Sequence, residues 1–479
     1  MNYMYSLLLL LVLGASHRIC QAKDNLKSSD DKIYDVVVVG GGFSGLFSSY
    51  FLEKKDVLIL EKSDNVGGRC LTGEWNGFHY PKGTEYIGKP ERYMRRIFRD
   101  LDVHAKVIPA PTDGVAYGGK FYFGKELLDY MTNDERRKYF DLMTELRELD
   151  HKGIEKAVWS DIQKLNKNDY LDKLSVEEWM MKKGYPPIVQ KFVDVENRGL
   201  FGTNNANYSM LFNIPEMTFD LPDNEASDKS EVYSFENGMY SIVESLEERL
   251  KNRLIKGAEV AHVSVGTDNI VKVCYQKEGK SYQVRSRSVV MATPAPITAK
   301  ILGSSISLIA SDILKSIDYT SYITVSFFTK KRMLHRTWSV SCLDMDEIVT
   351  LYDAIRPQVS NDYRGKSILS AYLAPKDIRD SNFVRRSDKE ILERTYRSMN
   401  KYFNSFQDEV IGYDITRFAY AFPVFSPGYL KKLICLTRDQ SLKGPIFLAG
   451  DYMVYATVDG ALISAENAAD DVLSFLRKY

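Results

Sequence analysis

Gly40, Gly42 and Gly45 stand in the spacing GxGxxG directly after an apolar run, VVVV at 36–39. Each glycine has a separate task in such a turn. Gly40 makes the turn, Gly42 lets backbone approach a pyrophosphate, and Gly45 lets the following helix pack close to the strand. Phe43 and Ser44 then open that helix, whose free N–H groups and partial positive charge suit phosphates. A second apolar run, VLIL at 57–60, ends on Glu61, about 20 residues past the first glycine. A carboxylate there accepts hydrogen bonds from ribose hydroxyls and repels a 2′-phosphate. Gly67-Gly68-Arg69 follows, adding a second pair of small residues and a guanidinium able to reach the same pyrophosphate. This is the chemistry of holding a dinucleotide.

Holding it requires strand, turn, helix and strand in sequence, and the pattern of 35–69 predicts that order. The end of the chain returns to the same design. Residues 446–448 read as a strand, 449–451 (AGD) as a turn, and a helix begins near Gly460. Between them, 130–200 reads as helical. Thr132 with Glu135 and Ser175 with Glu178 have capping-box spacing, and Tyr139, Leu142, Met143, Leu146 and Leu149 form one stripe at helical period. Residues 75–88 read as turns between short strands, 260–265 with 270–275 as a hairpin, and 288–293 as a strand stopped by Pro294. The segment 204–231, rich in Asn, Asp, Ser and Pro, is expected to be a loop crossing between domains. The chain thus leaves a nucleotide fold, builds something else and comes back.

The 479 residues suffice for two domains, and Lys+Arg and Asp+Glu are 64 each. That balance gives no electrostatic case for nucleic acid or an anionic membrane. At the N-terminus, residues 7–13 are unbroken apolar residues, too few to span a bilayer. Small residues around Ala22 then suit signal peptidase, so 1–22 reads as a signal peptide and the protein as secreted, with no transmembrane anchor. Asn207-Tyr-Ser209 is a glycosylation sequon. Cys70, Cys274, Cys342 and Cys435 are widely spaced, which fits neither a disulfide scaffold nor a CxxC metal motif, and no metal is expected.

These segments together resemble the flavin-containing amine oxidase superfamily, which includes monoamine and polyamine oxidases, protoporphyrinogen oxidase, carotene desaturases and polyunsaturated fatty acid isomerases. The pieces that carry the resemblance are GGGFSG, EKSDNVGGR, GMYSIVESLEERL with GAEVAHV, VVMATP, AFPVFSPGY and FLAGDYMVYATVDGALISAENAA. The resemblance implies an α/β fold: a Rossmann-like FAD-binding domain assembled from 33–95, 231–300 and 410–479. An α+β substrate domain would be inserted as 96–230 and 301–409. It implies FAD, with Ser44 and Arg69 at its pyrophosphate and Glu61 at the ribose, and with Gly40, Gly42, Phe43, Gly45, Gly68 and Thr84 among the residues that bind it. Val260 would offer backbone to the adenine, Asp451 would lie by the ribityl–phosphate segment, and Val458 by the flavin pyrimidine.

Departures from the family narrow the chemistry. Where many amine oxidases carry a lysine near the flavin, this chain has Thr324. Where monoamine oxidases attach FAD to a cysteine before a PG turn, it has Tyr420 before Pro427-Gly428, so FAD should be non-covalent. Near the arginine with which L-amino-acid oxidases clamp a carboxylate, it has Glu85. Glu85 is therefore the candidate to bind a cation or take a proton, and Tyr86 and Tyr455 are candidate aromatic walls. The expected activity is hydride abstraction from a C–H bond of a small organic substrate, with electrons leaving to oxygen or another acceptor. Two alternatives stand beside it: a polyunsaturated fatty acid double-bond isomerase, and a non-catalytic secreted flavoprotein.

Overall fold

The computed structural model describes residues 27–90, 92–219, 232–235, 237–358 and 365–478. The expected signal segment 1–22 lies outside them. The chain divides into two compact units, the first made of Met1–Gly68, Leu246–Ile317 and Lys432–Tyr479, the second of Arg69–Ser245 and Asp318–Lys431.

The first unit is built on one sheet. Its strands run in the order Glu259–Val265, Val271–Lys277, Lys280–Met291, Lys27–Val39, Val57–Leu60, Leu254–Ile255, with Ile446–Leu448 also pairing with Lys280–Met291. Lys27–Val39 is parallel to both of its neighbours, with Val36 opposite Val57 on one side and Ser288 on the other. Val36, Val37 and Val38 have no exposed surface, as expected of a parallel strand covered on both faces. The expected hairpin forms the antiparallel margin. The nucleotide helix, Phe43–Phe51, packs against the closing helix, Val458–Leu476.

The second unit joins a long sheet to a helical segment. The sheet order is Val410–Pro423, Tyr319–Thr329, Ser367–Leu373, Ile348–Asp353, Ser339–Cys342, Gly114–Tyr117, Lys120–Phe123. Ile323, Val325, Phe327, Leu369 and Ala371 pack with Ile391 and Met399 of the helix Asp388–Met399 into one core. In the helical segment both capping boxes form, at Thr132/Glu135 and Ser175/Glu178. The stripe from Tyr139 to Leu149 is buried on the helix Asn133–Asp150.

Two expectations are corrected. The segment 204–231 is not all loop: Met210–Phe219 is a helix despite Pro215, and Met210, Leu211, Phe212 and Ile214 are wholly buried. Burial of these side chains all round the helix outweighs the local preference of a proline-bearing stretch. The unit boundaries fall at Gly68, Leu246, Ile317 and Lys432 rather than at 95, 231, 300 and 410. The reason is strand pairing. Val410–Pro423 bonds along Tyr319–Thr329, which draws 410–431 into the second unit.

The Thr132 cap gives a direct stability test. Thr132 Oγ1 accepts the Glu135 N–H at 3.3 Å, and a Glu135 carboxylate oxygen accepts the Thr132 N–H at 2.8 Å. Thr132→Ala is expected to cost about 1 kcal/mol, read as a lowered urea midpoint at unchanged slope for the transition of the second unit.

Candidate functional site

In the first unit the turn after Val39 is made by backbone geometry that side chains would forbid. Gly40 has φ +106°, and a Cβ on it would lie 2.7 Å from the Ala292 carbonyl oxygen. A Cβ on Gly45 would lie 1.9 Å from the Gly40 carbonyl oxygen, so the helix sits directly on the turn. Gly67 N–H donates to Gly41 O at 2.8 Å, which lays Gly67-Gly68 beside the turn. A Cβ on Gly68 would come within 3.3 Å of Gly42 Cα.

The nucleotide helix begins at Gly42 with no side-chain cap and no acidic residue in its first turn. Its leading N–H groups therefore carry the uncompensated positive end of the helix. A Cβ on Gly42 would meet only Gly68 Cα, at 4.0 Å, so the glycine leaves a cradle that a side chain would occupy. These residues fit a pyrophosphate. Glu61 fits the neighbouring ribose: its two oxygens accept the N–H groups of Gly41 at 2.6 Å and Ser63 at 2.8 Å. A carboxylate has about four acceptor positions, so capacity remains for ribose hydroxyls. Ala258 N–H donates to Glu61 O at 2.8 Å, which brings the strand carrying Val260 alongside.

Ser44 lies under the helix start, its hydroxyl donating to Ala461 O of the closing helix at 3.2 Å. That helix starts at Val458 and is capped by Thr457, whose Oγ1 accepts the Gly460 N–H. Asp451 is buried in the short turn before it, and Gly450 N–H donates to Ser464 Oγ at 2.9 Å. Tyr455 is fully buried, with its backbone against Gly460. The Phe43 ring lies tilted against Phe47 at 4.6 Å between ring centroids. The first unit thus gathers Gly40, Gly42, Ser44, Gly45, Glu61 and Gly68 around one helix start.

The second unit gathers Arg69, Thr84 and Glu85. Arg69 donates from Nη1 to Ala421 O at 2.6 Å, and its carbonyl accepts the Thr84 N–H at 3.1 Å. Gly83 is required there, since a Cβ would lie 2.2 Å from the Arg69 carbonyl oxygen. Glu85 is 8 % exposed. Tyr372 Oη stands 2.8 Å from Glu85 Oε2 and 2.8 Å from Gly83 O. Burial pushes the Glu85 carboxyl up to about 8, the Tyr372 hydroxyl opposes the shift, and the Asp353 carboxylate adds to it.

Tyr372 has one proton and two acceptors in reach. Both contacts are satisfied when protonated Glu85 donates to Tyr372 while Tyr372 donates to Gly83 O. Among the described residues no cation pairs with Glu85, so its ionised form would be an uncompensated buried charge. Asp353 does have a cation: Arg332 Nε donates to it at 2.6 Å, with both side chains buried. Around this acid the rings of Tyr322, Tyr352 and Tyr372 succeed one another, Trp338 stands 4.8 Å from Tyr352, and Tyr86 meets Trp338 edge-on at 5.3 Å.

Thr324, at the position expected for a lysine, donates to Lys82 O at 2.7 Å and faces Tyr372 across the strand pair. Thr324 and Tyr372 therefore pin adjacent carbonyls of the loop that presents Glu85. Tyr372 escaped the sequence reading because only strand register, not spacing, places it opposite Thr324. Tyr420 is 42 % exposed and offers no thiol. Cys70 and Cys342 are buried free thiols, with Cys70 pushed up to about 12 by burial.

Two outcomes follow. Gly45→Ala should yield protein that loses flavin on gel filtration, read from the ratio of visible to ultraviolet absorbance, while Gly77→Ala, which strains only its own backbone (φ +79°) and meets no neighbour, should retain it. Acid precipitation of the wild-type protein should leave all of the flavin in the supernatant; flavin retained in the pellet would mean a covalent link.

The model of the flavin containing amine oxidoreductase family matches residues 43–473. Amine oxidase [flavin-containing] A of Canis lupus familiaris is 25% identical over 287 residues, 57% of this chain and 52% of that protein. The chain spans about half the length of the curated amine oxidases it matches. Cyclohexylamine oxidase from Brevibacterium oxydans IH-35A superposes with a TM-score of 0.74 at 15% identity, covering 93% of this chain and 100% of that one. The CLA-producing fatty acid isomerase from P. acnes gives 0.68 at 15% identity, with 93% and 100% covered. These structures share the fold. With a match spanning most of its length and a glycine cradle that fits FAD, the chain belongs to the flavin containing amine oxidoreductase family.

Proposed function

We propose that this chain is a secreted FAD-dependent oxidoreductase that takes a hydride from a C–H bond of a small organic substrate, uncharged where it meets Glu85. Electrons pass on to oxygen or another acceptor. The observation that carries the redox reading is the cradle of Gly40, Gly42, Gly45 and Gly68 at an uncapped helix start. Bound there, FAD supplies the hydride acceptor, and the protein supplies position and electrostatics. Glu85 narrows the substrate. A neutral acid below about pH 8 neither attracts an ammonium group nor removes a proton. Its proton is committed to Tyr372, so it offers a substrate only an uncharged carboxyl, and the rings around it favour an apolar partner.

A double-bond isomerase is the second reading. It is favoured by Thr324, whose hydroxyl is committed to Lys82 O, so this strand position brings no ammonium. Anaerobic mixing with amines, amino acids and polyunsaturated fatty acids separates the readings. Bleaching of the flavin's visible absorbance by one class, reversed by oxygen, supports the oxidase. Conjugated product without lasting bleaching supports the isomerase. No reaction with any class supports the non-catalytic flavoprotein. Secretion is tested by mass spectrometry of the mature N-terminus, expected at Lys23, and of a glycan on Asn207.

Glu85→Gln preserves a neutral donor, so it should keep most activity at neutral pH and flatten the change in rate seen across about pH 8. Its effect on stability has a defined sign. Native Glu85 keeps a proton that the unfolded chain releases, so its contribution is largest in acid. That contribution falls as pH rises from the ordinary carboxylate range and levels off above about 8. Glu85→Gln should therefore gain stability relative to wild type as pH rises from 5 to 8. Tyr372→Phe should cost about 1–3 kcal/mol by leaving the buried Gly83 carbonyl and the Glu85 proton unpaired. Denaturation at several pH values checks both.

A further inference from the structure

We propose that the second unit holds a binding site for a small anion carrying a carboxylate or phosphate group, with Arg198 at its base. The site is a cavity of about 860 Å³. None of its lining residues is among those considered above, and the proposal is independent of the redox reading.

Arg198 lies in the last turn of the helix Pro187–Phe201 and is 6 % exposed. Among the described residues its guanidinium bonds only through Nη2, which donates to the backbone oxygens of Ala374 at 2.7 Å and Asp346 at 3.5 Å. Nε is buried and has no partner. Among the described residues no carboxylate stands within ion-pair distance of it. Arginine stays charged in proteins, so this is a buried cation bonded to two carbonyl oxygens, with the carboxylates of Asp194, Glu347 and Asp346 acting on it only from a distance.

Six acids line the cavity and none stands within ion-pair distance of Nε: Glu390 pairs with Arg386 and Arg394, Glu393 pairs with Lys389, and Glu177 is exposed. Asp194, one turn earlier on the same helix, acts on Arg198 from a distance and accepts the Asn205 N–H at 2.9 Å. Asp346 pairs with Lys376 at 2.5 Å. Asp344 accepts the Gly118 N–H and the Tyr402 hydroxyl. The cations at the rim are in the opposite state. Lys191, Arg397 and Lys401 are exposed, line the same cavity, and among the described residues pair with no carboxylate. Arg397 lies in the last turn of the helix Asp388–Met399, and Lys401 follows two residues beyond its end. Lys191 lies over the Tyr117 ring at 5.6 Å. A guanidinium with an unused donor at the floor and three unpaired cations above it is the donor set for an anion's oxygens.

The test is calorimetry and thermal melting of the flavin-loaded full chain with inorganic phosphate, with citrate, and with sodium chloride at matched ionic strength. Saturable binding of phosphate or citrate, with a raised melting temperature that chloride does not reproduce, is expected. The tighter of the two identifies phosphate or carboxylate chemistry. Arg397→Ala/Lys401→Ala removes only exposed side chains and should weaken binding about tenfold. Arg198→Lys keeps the charge but loses the planar fork, and should weaken it at least as much. If Arg198→Lys does not fold, the rim variant decides. No saturable binding up to about 10 mM of either anion, an equal effect of chloride, or unchanged affinity in the rim variant overturns the proposal.

Discussion

A helix can be set down on the end of a β-strand only where neither carries a side chain at the crossing. Here the crossing is Gly45 on Gly40, where a Cβ would stand 1.9 Å from a carbonyl oxygen. The rest of the first unit follows from that approach. It fixes where the helix starts, and so where its unpaired N–H groups point. It brings Gly41 N–H to Glu61 Oε2, tying the turn to the end of the second strand. It also leaves room for Gly67 and Gly68 to lie against the turn. One steric constraint, repeated at Gly40 and Gly68, thereby produces an electropositive cradle and a carboxylate beside it.

The second unit solves a different problem, presenting a carboxyl group in apolar surroundings without a counter-ion. The loop carrying Glu85 is held at consecutive carbonyls, Lys82 by Thr324 and Gly83 by Tyr372. Both anchors come from neighbouring strands in register, so the loop inherits the rigidity of the sheet. The Tyr372 hydroxyl serves the loop backbone and the acid at once, which links the position of Glu85 to its protonation. An ion pair close by, Arg332 with Asp353, shows a contrasting solution in the same region: burial pushes Asp353 up to about 6, and a bonded guanidinium opposes the shift.

Much of this was legible in the sequence because it is local. Gly40, Gly42, Gly45 and Glu61 form a motif within 22 residues, and the capping boxes at Thr132 and Ser175 are four-residue patterns. The return of a strand and helix at 446–476 was readable from apolar runs and a glycine turn. What was not legible is non-local. The pairing of Tyr372 with Thr324 joins positions 48 residues apart, and the bond from Thr324 to Lys82 spans 242. The helix Met210–Phe219 was hidden for another reason: its composition argues for a loop, and only the core it packs into reverses that preference. The orphaned donor of Arg198 has no sequence signature at all, since an arginine in an amphipathic helix ordinarily faces water.

The assembly of the first unit's sheet has a consequence for how the chain becomes a flavoprotein. Its strands come from 27–60, from 254–291 and from 446–448, and the last of these pairs with Val289–Met291. During synthesis the glycine turn emerges first, but Ala461, which accepts the Ser44 hydroxyl, arrives 417 residues later. The nucleotide fold must therefore wait for that helix, while the second unit is made in the interval. Contacts this far apart in sequence are slow to form and leave unpaired strand edges open meanwhile. A cofactor that binds only the completed sheet would then act as a late fastener, drawing the equilibrium toward the closed fold in proportion to its free concentration. Flavin supply during expression should govern yield as well as activity.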